Sequence, residues 1–411
     1  MNVVFVAIFA LTYLLIATRR LRWLPIGRPA GALVGAVMMV ATGALTPAQS
    51  FAAIDHDTIL LLFSMMALTV YVERAGLFGW VVRATLARIR RPAVLLAAVS
   101  LLSAVLSAWM VNDTVCLFLT PFVVDLCKRA RLPMGPFLMA VATSSNIGSS
   151  ATLVGNPQNM LIGSMSGIPF FEFLLRSGPA ALAGLIVNLG LLLWFYRREL
   201  GQAPRLTALQ FEAPSGGRPV LVALVLTAVL VGFLSGLHLG YTALAGLAVL
   251  ILAEREEPQK AFAGVDWTLL LFFASLFIVV RGLVQTGLVE RGWAAVAPWV
   301  NLHGAWGATA FTAVIAAGSN IVSNVPMTLL AGPHIVALGA PKLGWVMLAF
   351  VSTVAGNLTL LGSVANIIVA ERARSAYELG FFEYLKFGVV STLAVLATGV
   401  PVVWWTSHAM R

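Results

Sequence analysis

Long apolar runs separated by short polar loops recur along the chain, and their lengths decide what they form. A helix rises about 1.5 Å per residue, so about 20 apolar residues cross a hydrocarbon core. Runs of this kind lie near residues 2–18, 29–47, 58–75, 178–196, 219–236, 240–253, 267–284 and 388–406. Two further regions read as helix pairs joined by a polar break, 93–111 with 115–127 and 306–322 with 325–338. Two more, 135–165 and 343–371, are apolar helices interrupted by Gly, Ser and Asn. The return arms 115–127 and 325–338 are short for a crossing, which predicts re-entrant hairpins over 93–127 and 306–338. The Gly, Pro, Arg and Glu content between Arg197 and Arg218 reads as a surface linker.

The pattern also repeats. A shift of 211 residues places Pro47 on Pro258, Phe51 on Phe262, Asp55 on Asp266, Gly76-Leu77 on Gly287-Leu288 and Asp113 on Asn324. The same shift places Asn146 on Asn357 and Phe171-Glu172-Phe173 on Phe382-Glu383-Tyr384. The first half holds an odd number of crossings, so the second is inverted in the membrane. The expected fold is all-α and integral to a membrane: two inverted-topology repeats, about ten spanning helices of which two are broken, and two re-entrant helical hairpins. Residues 1–200 form the first repeat, 201–217 a cytoplasmic linker and 218–411 the second repeat. Inverted repeats with interrupted helices are the pattern of alternating-access transporters.

Composition fixes the solvent. Of 411 residues 60% are hydrophobic and 10% charged, against about a quarter charged in soluble domains, so the lipid bilayer is the first partner. The first run is followed by Arg19, Arg20 and Arg22 rather than a small-residue cleavage site, and reads as a span. A net charge of +10 taken alone suggests nucleic acid. The layout excludes that partner: 21 of the 26 Lys and Arg residues fall in loops that the spans place on one side. The positive-inside rule makes that side cytoplasmic and the chain a multi-pass protein of the cytoplasmic (inner) membrane. Arg19–Arg28, Arg83–Arg91, Lys128–Arg131 and Arg197–Arg218 are the cytoplasmic loops of the first half and linker.

The breaks are where chemistry is expected. The first holds Ser145, Asn146, Gly148, Thr152, Gly155, Asn156, Pro157 and Asn159, and the second Asn357, Thr359, Gly362, Ser363 and Asn366. Breaking a helix at membrane depth frees backbone groups that lipid cannot satisfy, so such segments line a protected cavity. Freed N–H groups attract anions and freed carbonyls coordinate cations. A lone cluster of this composition reads as a surface loop; two at equivalent places do not. The hairpin tips add Asn112, Asp113 and Thr114, then Ser319-Asn320 and Ser323-Asn324. Asp113 is an acid between two apolar runs, the expected carrier of a proton or cation, with an N-cap of the following helix as the plainer reading. Its counterpart Asn324 cannot ionise.

Other residues read as structural. Arg281 snorkels from the end of its span. His334 is a satisfied histidine, and Cys116 and Cys127 are small buried hydrophobes. Glu172 with Arg176, and Glu383 with Lys386, sit on segments that read as amphipathic interfacial helices. The sequons at Asn112 and Asn357 fall at membrane depth and read as chance. No zinc-protease, Walker or nucleophile-elbow motif occurs, and five scattered histidines make no metal site. The chain is expected to be no enzyme and to need no cofactor or metal.

Asn112-Asp113-Thr114, Ser145-Asn146-Ile147-Gly148 and Gly155-Asn156-Pro157-Gln158-Asn159 resemble the ion transporter superfamily. That group includes arsenite permeases, citrate and dicarboxylate carriers, sodium/proton antiporters and the melanosomal P-protein type. The resemblance covers nearly the whole chain and implies the inverted-repeat scaffold with two hairpins, often as a homodimer. In the divalent anion/sodium symporter branch, paired Ser-Asn-Thr motifs hold sodium. The matching positions are Ser145-Asn146-Ile147 and Gly356-Asn357-Leu358, which lack both Thr and one Ser. The expected function is secondary transport of a small anion or oxyanion-type solute (arsenite or antimonite, an inorganic anion, or a di- or tricarboxylate such as citrate), coupled to protons or sodium. The alternatives are a sodium/proton antiporter, a channel and an intramembrane enzyme.

Overall fold

A computed structural model of the chain describes residues 2–17, 27–86, 89–204, 218–255 and 257–410. Most of the linker and of the first basic loop therefore lies outside the described residues, as do residues 87–88 of the loop read for Arg83–Arg91. Among the described residues every regular element is helical. Six helices are long and apolar enough to cross a membrane: His56–Arg74, Pro92–Trp109, Phe170–Phe195, Trp267–Val284, Ala305–Val322 and Phe381–Ala409. Shorter apolar helices accompany them at Arg28–Ala41, Pro219–Leu234 and Leu239–Glu254. Outward residues such as Leu224, Leu252 and Trp405 stay exposed, as a lipid-facing surface requires.

Each expected span falls on a helix, although 29–47 is cut short: Arg28–Ala41 stops at Ala41, and Pro47 begins a separate short helix, Pro47–Ala53. Caps explain several starts. Asp55 accepts from the Thr58 N–H at 2.8 Å to begin His56–Arg74, and Asp266 accepts from the Leu269 N–H at 3.0 Å to begin Trp267–Val284. Proline opens Pro92–Trp109, Pro157–Ser166, Pro219–Leu234 and Pro341–Ala355, where its missing N–H has no partner to lose.

Both polar-tipped helix pairs are present but unequal. The first is Pro92–Trp109 followed, after Met110 and Val111, by the 19-residue helix Asn112–Ala130. The second is Ala305–Val322 followed by an 8-residue helix, Asn324–Ala331, and a 7-residue 3-10 turn, Gly332–Leu338. The first return arm is thus longer than the sequence pattern shows, because the polar Asn112-Asp113-Thr114 joins the helix at its start and Lys128-Arg129-Ala130 extends it at its end. Its length does not forbid a crossing; its start, at the buried Asn112 and Asp113, lies deep inside the molecule. Between the arms of the second pair Ser323 has φ 73 and ψ 162, a region that belongs to glycine and costs about 1–3 kcal/mol for another residue.

The two interrupted helices form the centre. They are Met134–Ser149 with Pro157–Ser166 and Pro341–Ala355 with Val364–Ala373. Nearly every residue of Gly135–Ser149 and Leu343–Ala355 is buried. Phe170–Phe195 and Phe381–Ala409 flank them. A Cβ on Gly184 would meet Val395 at 2.7 Å, and one on Gly399 would meet Phe350 at 2.1 Å, so these glycines allow the close approach.

One expectation is corrected here. Phe171-Glu172-Phe173 and Phe382-Glu383-Tyr384 are not separate interfacial helices. They are the first turns of the long helices, which run through Pro179 and Pro401 without stopping. Arg176 is buried, pairs with Glu172 at 2.7 Å and donates to the carbonyls of Ser407 and Met410 at 3.0 Å each. Lys342 joins the same carboxylate at 2.7 Å.

Candidate functional site

Four helix N-termini meet at one cavity of about 30 Å³. The cavity is lined by Asn112 and Asp113, by Pro157 and Gln158, by Ser323, Asn324, Val325 and Pro326, and by Ser363 and Val364. Those residues begin Asn112–Ala130, Pro157–Ser166, Asn324–Ala331 and Val364–Ala373. Phe272, Phe273 and Leu276 close the remaining wall. The two hairpins and the two breaks each contribute one terminus.

The electrostatic consequence follows from the backbone. The first turn of a helix has N–H groups without intrahelical acceptors, and the helix dipole adds positive potential there. Each terminus favours a negative group by roughly 0.3–1 kcal/mol. Placing a charge at membrane depth costs about 3 kcal/mol on insertion scales. Four termini together are of the size needed to hold one anionic group, and Asp113 is the one acid in the lining. Asp113 is not the N-cap of its helix: Val111 holds that position, and the Asp113 N–H is satisfied by Asn112 Oδ1 at 2.9 Å. Across the cavity Asn324 Oδ1 is buried without a partner. A buried acceptor left unmade costs about 1–3 kcal/mol, so the cavity presents a vacant acceptor beside a carboxyl group.

Behind the lining sits a hub. Asn146 Oδ1 accepts from Asn112 Nδ2 at 2.8 Å and from Ser363 Oγ at 3.1 Å. Asn146 Nδ2 donates to Asn357 Oδ1 at 2.7 Å and to Asn366 Oδ1 at 3.0 Å. An amide has two donor and two acceptor positions, and all four are filled. One side chain therefore ties the first hairpin tip to the second break.

Each break is also stitched internally. Asn159 Nδ2 reaches back to the carbonyls of Ser149 and Thr152 at 3.2 and 2.8 Å. Asn366 Nδ2 does the same to Gly356 and Thr359 at 2.8 and 3.2 Å. These are carbonyls freed by the interruption, and the two asparagines return them to a partner. Asn156 caps Pro157–Ser166 by accepting from the Asn159 N–H at 2.9 Å, while its Nδ2 donates to Ser149 Oγ at 2.9 Å. Thr152 Oγ1 donates to the Ala108 carbonyl of the first hairpin at 2.5 Å. Gly155 gives the Asn112 N–H its acceptor at 2.8 Å.

The bonding pattern of Asn159 recurs at Asn366, 207 positions later, whereas the sequence spacing of 211 pairs Asn146 with Asn357. The second return arm, ending at Leu338, is four residues shorter than the first. Four extra residues after Val364–Ala373 restore the 211 spacing by Phe381, opposite Phe170.

Of the residues that the sequence singles out, Asn112, Asp113, Pro157, Ser323, Asn324 and Ser363 line the cavity. Asn146, Asn357 and Asn366 form the hub, and Thr152, Gly155, Asn156, Asn159, Thr359 and Gly362 build the breaks. Three stand apart. Ser145 Oγ donates to the Ala142 carbonyl and lies 3.1 Å from Cys116 Sγ. Gly148 packs on hairpin backbone, a Cβ there meeting the Ala104 carbonyl oxygen at 2.1 Å. Thr114 is half-buried and outside the lining. His334 stacks on Trp293, with ring centroids 4.8 Å apart, in keeping with a structural histidine. Sequence reading placed Gln158 within the Gly155–Asn159 motif but gave no role to its side chain, which donates to Thr353 Oγ1 at 3.0 Å. It missed Asn188, whose Nδ2 donates to Thr143 Oγ1 at 3.0 Å while its Oδ1 accepts from Ser391 Oγ at 2.6 Å. A lone Asn inside the apolar run 178–196 was the available signal.

An apolar helical body with a polar cavity made from interrupted helices at its centre is the architecture of a membrane transporter. The chain belongs to the citrate transporter family, which it matches over residues 13–355. Among its relatives, the putative transporter arsB of Dictyostelium discoideum is 33% identical over 92% of this chain and 88% of the relative. The silicon efflux transporter LSI3 of Oryza sativa subsp. japonica is 35% identical over 96% of each chain. The crystal structure of the Alcanivorax borkumensis YdaH transporter covers 98% of this chain and 97% of its own, with a TM-score of 0.57 at 16% identity; it shares the fold. The chain is thus a multi-pass transporter of the anion and citrate type, and its relatives are transporters rather than enzymes.

Proposed function

We propose that this protein is a secondary active transporter that moves a small anion or oxyanion-type solute across the cytoplasmic membrane by alternating access, with Asp113 carrying the coupling proton or cation. The observation that carries the reading is the convergence of four helix N-termini on a cavity holding one carboxyl group. N–H groups from the second hairpin and both breaks receive the solute's oxygens, the first hairpin contributes its helix dipole, and Asn324 Oδ1 accepts from a solute hydroxyl. Asp113 shares the positive field with the solute, so protonation of its carboxyl or release of its cation changes how strongly an anion is held. That competition is a coupling device. Relatives named for arsB and for silicon efflux favour an oxyanion-type solute, and the family name keeps citrate in the test.

The same reading takes residues 1–200 and 218–411 as two inverted repeats. Support comes from the shared capping by Asp55 and Asp266 and from the shared stitching by Asn159 and Asn366. Contacts also join segments that the charge count puts on one side. Asp57 lies 3.4 Å from His238, and Asp55 accepts from Ser164 at 2.8 Å on the outer side. Arg218 donates to the Ala253 carbonyl at 3.1 Å on the inner side.

A second reading, a sodium/proton antiporter, is favoured by one observation: about 30 Å³ beside a carboxyl group and a vacant amide oxygen suits a bare cation. Flux into proteoliposomes separates the two. Arsenite, phosphate, citrate and sodium are each offered under an imposed pH gradient, with wild type and Asp113→Asn. Gradient-driven flux of an oxyanion or carboxylate that loses its pH dependence in the variant is the expected result. Sodium/proton exchange with no anion flux overturns the anion reading.

A further inference from the structure

We propose that an acyl chain of a bilayer phospholipid occupies a second cavity and supports the tip of the first hairpin from the side opposite the solute site. This cavity measures about 320 Å³ and lies between His56–Arg74, Leu77–Leu86, the end of Pro92–Trp109 and Pro219–Leu234. That volume is within the range of small-molecule sites, roughly 300–1,000 Å³.

The lining selects the occupant. Thirteen of its fourteen residues are hydrocarbon, aromatic or thioether, and none is charged. The exception, Thr227, already donates its hydroxyl to the Ala223 carbonyl of its own helix at 2.8 Å. The indole N–H of Trp109 is the one other side-chain donor on the wall, and water needs two to four polar partners to stay. A flexible hydrocarbon chain is the one class that this wall satisfies. Its source is adjacent: the outward face of Pro219–Leu234 carries Val220, Leu224 and Val231, more than half exposed, against the bilayer that a transporter of this family requires. The cavity is therefore continuous with an interface the protein already has with lipid.

The position gives the occupant a role. Trp109 and Met110 line this cavity, while Asn112 and Asp113 line the solute cavity. Only Val111 separates them in sequence. Trp109 continues through Phe170 to Phe233, with ring centroids 6.3 and 5.5 Å apart. A chain seated here fills space directly behind the residues that present Asp113, and its displacement loosens them.

The test is photolabelling of the full-length protein in vesicles of phosphatidylcholine carrying a mid-chain diazirine, with the labelled residues mapped by mass spectrometry. Lipid outside the protein reaches Val220, Leu224 and Val231. Only an inserted chain reaches Met65, Leu68, Met110 and Phe233, which are nearly inaccessible. Label on those four is expected, falling roughly tenfold in Ala223→Phe, whose ring fills the cavity. If that variant does not fold, Ala223→Leu serves with a smaller drop. Label confined to the outward residues overturns the proposal, as does buried label that a folded filling variant leaves unchanged. Neither outcome depends on which solute is carried.

Discussion

Asn146 donates to Asn357 at 2.7 Å across 211 residues of chain, and it does so with an amide whose other three positions are also taken. Replacing Asn146 by Ala strands Asn112, Asn357 and Asn366 together. Each buried group left unmade costs about 1–3 kcal/mol in soluble proteins, and membrane-buried bonds average about 0.6 kcal/mol. The expectation for Asn146→Ala is a loss of about 1–3 kcal/mol and flux reduced at least roughly tenfold. Flux assays beside thermal unfolding in detergent check it. Wild-type flux would remove Asn146 from the working part.

The stitching asparagines provide a test of the two-repeat architecture. Aspartate at position 159 or 366 cannot donate, and its charge repels the two carbonyls that each amide now holds. Asn159→Asp and Asn366→Asp are expected to lower the unfolding midpoint by similar amounts, corresponding to about 1–2 kcal/mol. A large effect at one position and none at the other would show that the breaks are not built alike.

Two glycines make an internal comparison. An added Cβ on Gly155 meets the Ser149 carbonyl oxygen at 2.3 Å, and that oxygen is backbone. On Gly163 the nearest atom is Leu153 Cδ1 at 3.4 Å, the end of a flexible side chain. Gly155→Ala is expected to cost about 2 kcal/mol or more and to abolish transport, and Gly163→Ala to do neither. Yield of folded protein on size-exclusion chromatography and flux read both.

A pH effect is expected where the long helices end. Tyr377 donates to Glu383 at 2.5 Å, and Glu199 lies close enough to feel that carboxylate. Partial burial first, and Glu383 second, push the Glu199 carboxyl above its ordinary range. An acid with a raised folded-state pKa costs nothing while protonated, and costs more as pH rises through and past the ordinary carboxylate range. Glu199→Gln is expected to raise the unfolding midpoint by about 1–2 °C at pH 8 and leave it unchanged at pH 4. A larger gain at pH 4 than at pH 8 would reverse the sign and refute the assignment.

The helices were legible because apolar runs and proline starts are local signals, and 267–284 falls on its observed helix to the residue. The breaks were legible for the same reason, since Gly, Ser and Asn interrupt an apolar run within a few positions. Asn188 was not singled out because one amide in an apolar run says nothing about which distant hydroxyl will meet it. The length of the first return arm was misjudged because Asn112 and Asp113 look like loop residues. The partners of Asn112, Asn146 Oδ1 and the Gly155 carbonyl, come from the first break and the helix before it, while Asn112 Oδ1 takes the Asp113 N–H, and together they let the helix begin there. Register was hidden too. Four residues missing from one arm and returned after the next helix leave the overall spacing intact while moving every pair between.

The hub has a consequence for the membrane as an electrical barrier. Under the alternating access proposed above, opening to both sides at once would short-circuit the membrane's ion gradients. Asn146 holds the first hairpin tip and the second break with the same planar group, so neither can swing away without disturbing the grip on the other. Leak resistance is then a property of one amide's valence rather than of two separate doors, and a variant that loosens the hub should be toxic to its host before it is merely inactive.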